Sequence, residues 1–134
     1  MPLSLEDRLD IIDRMSRYGY MMDERAWGRL GDVFAPDIVY DFKGARGGVL
    51  RGIEALRERW TESFTDDYPV VGHHVTNIVI GDDDGGRVPV QSMGVIVLHD
   101  GTTSTADYHD VFVRTEAGWR IASRTLSMRR RRKP

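Results

Sequence analysis

The chain has 134 residues, 40% apolar and 30% charged, which is enough for one domain with a real core and too few for two. A formal net charge of −2 supplies no field to draw the molecule to nucleic acid or an anionic membrane. There is no cysteine, which excludes disulfides, thiolate metal sites and a cysteine nucleophile.

Acidic residues run through the first 25 positions, where a secretory leader needs an apolar core. No apolar run approaches the roughly 18 residues of a membrane span, so a cytoplasmic location is expected. Ser4 followed by Asp7 reads as a helix start, and the first helix is expected from about Leu5 to Met22. Wound at roughly 100° per residue, Leu5, Leu9, Ile11, Ile12, Met15, Tyr18 and Met22 fall on one half of the cylinder and form the expected buried face. Asp23 falls on the same half, in line with Leu5 and Ile12. Two readings stay open for it: an N-cap for a helix beginning Glu24-Arg25-Ala26, or a functional carboxylate whose pKa is open to adjustment.

A second, shorter helix is expected to carry Trp27, Leu30, Val33 and Phe34 and to stop at Pro36. Ile38–Phe42 reads as a strand. Lys43–Gly48 reads as a loop without phosphate-binding spacing. A third helix, about Ile53 to Phe64, would turn Ile53, Leu56, Trp60 and Phe64 to one side. The pattern then changes to strands: Val70–Ile80, Val88–His99, Thr102–Arg114 and Trp119–Leu126. The reversals between them fall at Gly81–Gly86, Asp100-Gly101 and Thr115–Gly118. Asp82–Asp84 lack the ligand spacing of a calcium loop. Three N-terminal helices, one early strand and a four-stranded antiparallel meander make an α+β fold, a curved sheet wrapped round a helix with an internal pocket. Residues 1–128 form the single domain. Residues 129–134 form a basic, solubilising tail, with no nucleic-acid contact expected.

Four histidines invite a metal site, but His73 and His74 are neighbours on a strand and point to opposite faces. Without a spaced His/Glu triad, no metal is expected. In the last hairpin, a bulge at Gly118 would pair Thr115 with Trp119 and place Asp110 opposite Arg124. Tyr108, Asp110 and Phe112 then share a face with Ala122 and Arg124. His109, Val111, Val113, Trp119, Ile121 and Ser123 share the other. Hydrophobicity alone turns the second face inward, with His109 in the pocket. Were a dimer partner to cover that face, the polar-aromatic one would line the pocket.

Four segments together carry a family resemblance: Tyr18-x4-Asp23-x3-Trp27-x2-Leu30, Val33-Phe34-Ala35-Pro36-Asp37, His73-His-Val-Thr-Asn77, and Tyr108-His-Asp110 with Gly118-Trp-Arg-Ile-Ala-Ser-Arg124. Over about residues 5–126 the chain resembles the dehydratase-like, SnoaL-like branch of the NTF2-like superfamily, a cystatin-like cone. The resemblance implies a dyad of Asp23 and His73, with Tyr18 and Asp110 as further catalytic residues and the Tyr108–Asp110 face turned inward. Phe42 departs from the pattern: it stands where ketosteroid isomerase has an acid and scytalone dehydratase a tyrosine, and it can do neither job. Candidate substrate contacts are Tyr108, Phe42, Trp27, Trp60, Met93, Phe112 and Arg124. The implied activity is a cofactor-independent lyase or dehydratase acting on a small hydrophobic, polyketide- or steroid-like molecule. Alternatives are isomerisation or cyclisation in the same pocket, or a non-catalytic small-molecule-binding module. A homodimer through the sheet is expected.

Overall fold

The structure is a computed structural model that describes residues 2–43 and 48–129. Helix α1 spans Leu5–Glu24 and opens on a full capping box. The Ser4 hydroxyl accepts from the Asp7 N–H, and the Asp7 carboxylate accepts from the Ser4 N–H, each at 3.0 Å. Left-handed Arg25 (φ 53°) ends the helix, donating its N–H to Met21 and Met22. The buried stripe is narrower than expected. Ile11, Met15, Tyr18 and Met22 are covered, whereas Leu5, Leu9 and Ile12 are 70%, 58% and 39% exposed. Leu5 and Ile12 lie roughly 90–110° round the helix from the stripe's centre, at the margin of the buried face.

Three helices do not precede the sheet. The second expected helix is a single 3₁₀ segment, Trp27–Asp32, and α2 (Ile53–Ser63) follows two strands, β1 (Phe34–Asp41) and β2 (Val49–Arg51). Pro36 therefore does not end a helix but lies inside β1. The ladder that β1 makes with the last strand is irregular between Phe34 and Val39, where the proline has no N–H to give. The loop read at Lys43–Gly48 falls mostly on residues 44–47, outside the described residues, as do residues 130–134 of the basic tail. Arg129 itself is tied down, its side chain on Asp107 and its backbone on Thr105.

The remaining strands, β3 (Val70–Ile80), β4 (Arg87–Leu98), β5 (Thr103–Thr115) and β6 (Gly118–Met128), form the antiparallel meander. The six-stranded sheet runs β2-β1-β6-β5-β4-β3, with β1 parallel to β6 and the other pairs antiparallel. Asp110 does face Arg124, but the bulge is not in the turn. Thr115 pairs with Gly118, and the register slips between Val111 and Phe112, leaving Ala122 as the extra residue. Below the bulge every side chain of β6 changes face. Trp119 and Ile121 thus join Phe112, Asp110 and Tyr108 on the inner face and are fully buried, while His109 is exposed on the outside. This corrects the hydrophobicity argument, which turned the face of His109, Val111 and Val113 inward. That face is the outer one, and Trp119 and Ile121 point inward because the bulge moves them to the face of Tyr108 and Asp110.

α1 is pinned across the inner face at both ends. At its start, Asp7 accepts from the Trp119 indole N–H at 3.0 Å and from Arg114 at 2.8 Å, and Asp10 accepts from the Trp119 backbone. At its end, Arg25 donates to the carbonyls of Phe64 and Thr65, just beyond α2. Among the described residues no helix is long and apolar enough to cross a membrane.

Candidate functional site

At Gly19, α1 touches β3 with no side chain between them. A Cβ there would lie 2.5 Å from the His73 carbonyl oxygen. About one helical turn further on, Asp23 stands beside His73 and spends both carboxylate oxygens on it. Oδ1 is 2.7 Å from Nδ1 and Oδ2 accepts the backbone N–H at 3.0 Å. An ionised carboxylate only accepts, so Nδ1 carries the hydrogen and Nε2 is the basic nitrogen of the neutral ring. The capping reading of Asp23 is not realised, since α1 runs through Glu24 and the 3₁₀ segment begins beyond Ala26. Nor is Asp23 deep in the core: its side chain is 26% exposed and that of His73 9%. The pair forms part of a rim.

His73 lines a cavity of about 460 Å³ on the inner side of the sheet. Tyr40, Phe42, Trp60 and Phe64 supply one wall, and Ile96 and Ser104 continue the row of His73 across β4 and β5. Exposed Lys43 and Met128 mark its open side. The Tyr40 and Phe42 rings stack at 4.3 Å, and Trp60 meets Tyr40 edge-on at 5.7 Å. Tyr18 and Tyr108 form the opposite end, with the Tyr18 hydroxyl 3.4 Å from that of Tyr40, a contact rather than a strong hydrogen bond. The Tyr108 ring lies along its strand over Gly94, where a Cβ would sit 2.6 Å from the ring and 2.8 Å from the hydroxyl oxygen. Without that glycine the ring has no room, and with it the hydroxyl comes a row closer to His73.

Beneath the tyrosines lies a buried ion pair. The Nε and Nη2 of Arg124 donate to the two oxygens of Asp110 at 2.7 and 2.9 Å, and both side chains are wholly inaccessible. Burial pushes the Asp110 carboxyl up against the pull of Arg124. Burial also works against the guanidinium, but the Asp110 carboxylate outweighs it and holds Arg124 well above its ordinary value. Desolvation likewise lifts the phenols of Tyr40 and Tyr108 well above 10.

The structure thus brings Asp23, His73, Tyr18, Tyr108, Phe42 and Trp60 to one cavity or its rim. The other expected site residues stand elsewhere. Asp110 and Arg124 lie under the cavity rather than in its lining, with the oxygens of Asp110 committed to Arg124. Phe112 is buried in the core beside Ile121. Trp27 backs the wall by packing on Trp60 and Phe64 at 5.6 and 5.5 Å. Met93 faces the other side of the sheet, because its neighbour Ser92 takes the inward position opposite Tyr108. Asn77 of the His73–Asn77 motif is a left-handed residue (φ 54°) at a register slip in β3. Asparagine tolerates that conformation, which gives it a backbone role. Tyr40 is among the lining residues that sequence reasoning missed, with Phe64, Ile96 and Ser104. The signal for Tyr40 was available, since strand alternation puts it on the same face as Phe42.

The SnoaL-like domain family matches residues 3–125 of the chain. An uncharacterised protein of Mycobacterium tuberculosis is 31% identical over 129 residues, covering 90% of this chain and 84% of that protein. Among solved structures, a Nostoc punctiforme protein of unknown function with a cystatin-like fold superposes with a TM-score of 0.82 at 19% identity, covering 96% of both chains. A type 2 hexachlorocyclohexane dehydrochlorinase superposes with a TM-score of 0.68 at 17% identity, covering 93% of this chain and 84% of that one. At those identities the two structures speak for the fold. With a match over nearly its whole length, the chain belongs to the SnoaL-like family.

Proposed function

We propose that the cavity carries out a proton-transfer elimination, without a cofactor, on a small hydrophobic molecule with a polyketide- or steroid-like flat body. The observation that carries this reading is the Asp23–His73 contact at 2.7 Å on the edge of an aromatic cavity. Asp23 holds the ring in the Nδ1–H tautomer, and Nε2 acts as the base on a carbon next to a carbonyl. The C–H bond breaks, its electron pair becomes a C=C bond, and the C–O bond to a neighbouring hydroxyl breaks. Tyr18 donates the proton that makes the departing hydroxide water, and the proton on His73 restores Tyr18 through solvent. Phe42, Trp60, Tyr40 and Tyr108 position the body of the molecule. The dehydrochlorinase neighbour, named for an elimination, supports the reaction class.

Isomerisation or cyclisation would use the same base and is told apart by product mass. A thermal-shift screen of hydroxy-ketones and sterols on wild type and His73→Ala, followed by mass spectrometry of the ligands that shift the wild type, tests the proposal. Loss of one water from a bound ligand, dependent on His73, supports elimination; an unchanged mass with a moved double bond supports isomerisation. Binding without any turnover across the set would leave a small-molecule-binding module. We also place a homodimer contact on the outer sheet face, where half-buried Met93, Val95 and Val97 follow one another along β4. Sedimentation of wild type against Val95→Lys tests it.

A further inference from the structure

We infer that Arg124 is a positioning residue for the tyrosine end of the cavity, where the hydroxyls of Tyr18 and Tyr108 bind a ligand oxygen on which negative charge develops. The inference rests on the reading of this cavity as an acid–base site. The guanidinium carbon lies 4.4 Å from the Tyr18 ring centre and 4.1 Å from that of Tyr108. The two rings meet edge to face at 5.8 Å. Both tyrosines line the cavity, whereas Arg124 is 1% exposed and reaches a ligand only through them.

Packing does not account for a charge at this place. Apolar side chains can replace a buried ion pair with no loss of stability. Asp110 takes up Nε and Nη2, and Nη2 also lies 3.5 Å from the Met15 sulfur. Nη1 has no hydrogen-bond partner among the described residues. The guanidinium is therefore clamped on one edge by the carboxylate, and the pair acts as a fixed dipole whose cationic end lies against the two rings, in surroundings where its field is little screened. A cation against the face of a phenol is attracted by the ring, and it gains further as negative charge builds beyond the hydroxyl. Burial keeps Tyr108 protonated, so that phenol stays a donor instead of becoming an anion. Neutral donors backed by a guanidinium are the arrangement that stabilises an oxygen gaining negative charge, the departing hydroxyl in the elimination or a bound phenolate that stands in for it.

Substituted phenols running from 4-methylphenol to 4-nitrophenol are the probes, and the readout is how affinity changes with phenol acidity. In the wild type, affinity rises as the phenol becomes more acidic. Replacing the pair without charge, as Arg124→Met with Asp110→Leu, flattens that dependence and weakens 4-nitrophenolate binding about 10- to 30-fold, in a protein that still melts cooperatively. Arg124→Lys, which keeps the charge, restores part of the slope. Should the apolar pair fail to fold, Arg124→Gln with Asp110→Asn makes the same comparison. His73→Ala keeps the slope while abolishing turnover, so failure of the elimination chemistry and failure of this inference are distinguishable. An unchanged slope in the folded charge-free variant, or no acidity dependence in the wild type, overturns the role given to Arg124.

Discussion

Gly19 on α1 and the carbonyl of His73 on β3 are in direct backbone contact, and the candidate dyad depends on that approach. A methyl at Gly19 would sit 2.5 Å from the carbonyl oxygen, and neither backbone can yield without moving helix or strand. Gly19→Ala is expected to lose about 1–3 kcal/mol of stability and to pull Asp23 away from His73. Chemical denaturation measures the first effect. Gly28→Ala is the control, because nothing lies within 4 Å of a Cβ there.

Asp23→Asn keeps the shape of the side chain and removes its charge. The amide can present an N–H where the carboxylate presented an oxygen, so the Nδ1–H tautomer of His73 loses its enforced preference. Nitrogen-15 shifts of the imidazole should show Nδ1 protonated in the neutral wild-type ring and a mixture in the variant. For any ligand found to turn over, kcat should fall about 10²- to 10⁴-fold, with little change in melting temperature because Asp23 is partly exposed. An unaltered kcat would remove the dyad from the mechanism.

The Asp110–Arg124 pair predicts asymmetric stability effects. Asp110→Ala leaves a guanidinium buried without its counter-ion and should cost about 3–5 kcal/mol. Removing both charges together, as Asp110→Leu with Arg124→Met, should be neutral or stabilising. Equilibrium denaturation of the single and double variants tests this. A double variant as unstable as the single one would mean that the pair holds the fold by itself.

Acid sensitivity should be concentrated at the start of α1. Hydrogen bonds from the Trp119 indole first, then from Ser4 and Arg114, hold the Asp7 carboxyl well below the ordinary carboxylate range. The unfolded chain, with a carboxyl pKa of about 3.9, therefore binds the proton more readily. The stabilisation is complete above that value and is lost as pH falls from there toward the lower pKa of the folded state. In Asp7→Asn the melting temperature should be lower at neutral pH and should change less between roughly pH 5 and 2 than in the wild type. Parallel slopes for the two proteins would contradict this assignment.

Much of this molecule was legible in local chemistry. The Ser4–Asp7 capping box, the turns at Asp100-Gly101 and Thr115–Gly118, and the period-two runs after Val70 mark elements that the backbone forms from short-range preferences. The match of motifs such as Tyr18-x4-Asp23 and His73–Asn77 was enough to name the family and the Asp23–His73 pairing. Other features could be settled only by the folded chain. Whether Trp119 and Ile121 face inward depends on one unpaired residue, Ala122, and a bulge position is decided by how the two strands and the layer above them pack. Leu5, Ile12 and Asp23 lie in line on one helix but meet different surroundings: the first two are exposed, and the third pairs with His73. Arg124 looked like a pocket residue and lies beneath one. Where a charged side chain ends up depends on what surrounds it in three dimensions, and spacing along the chain carries no record of that.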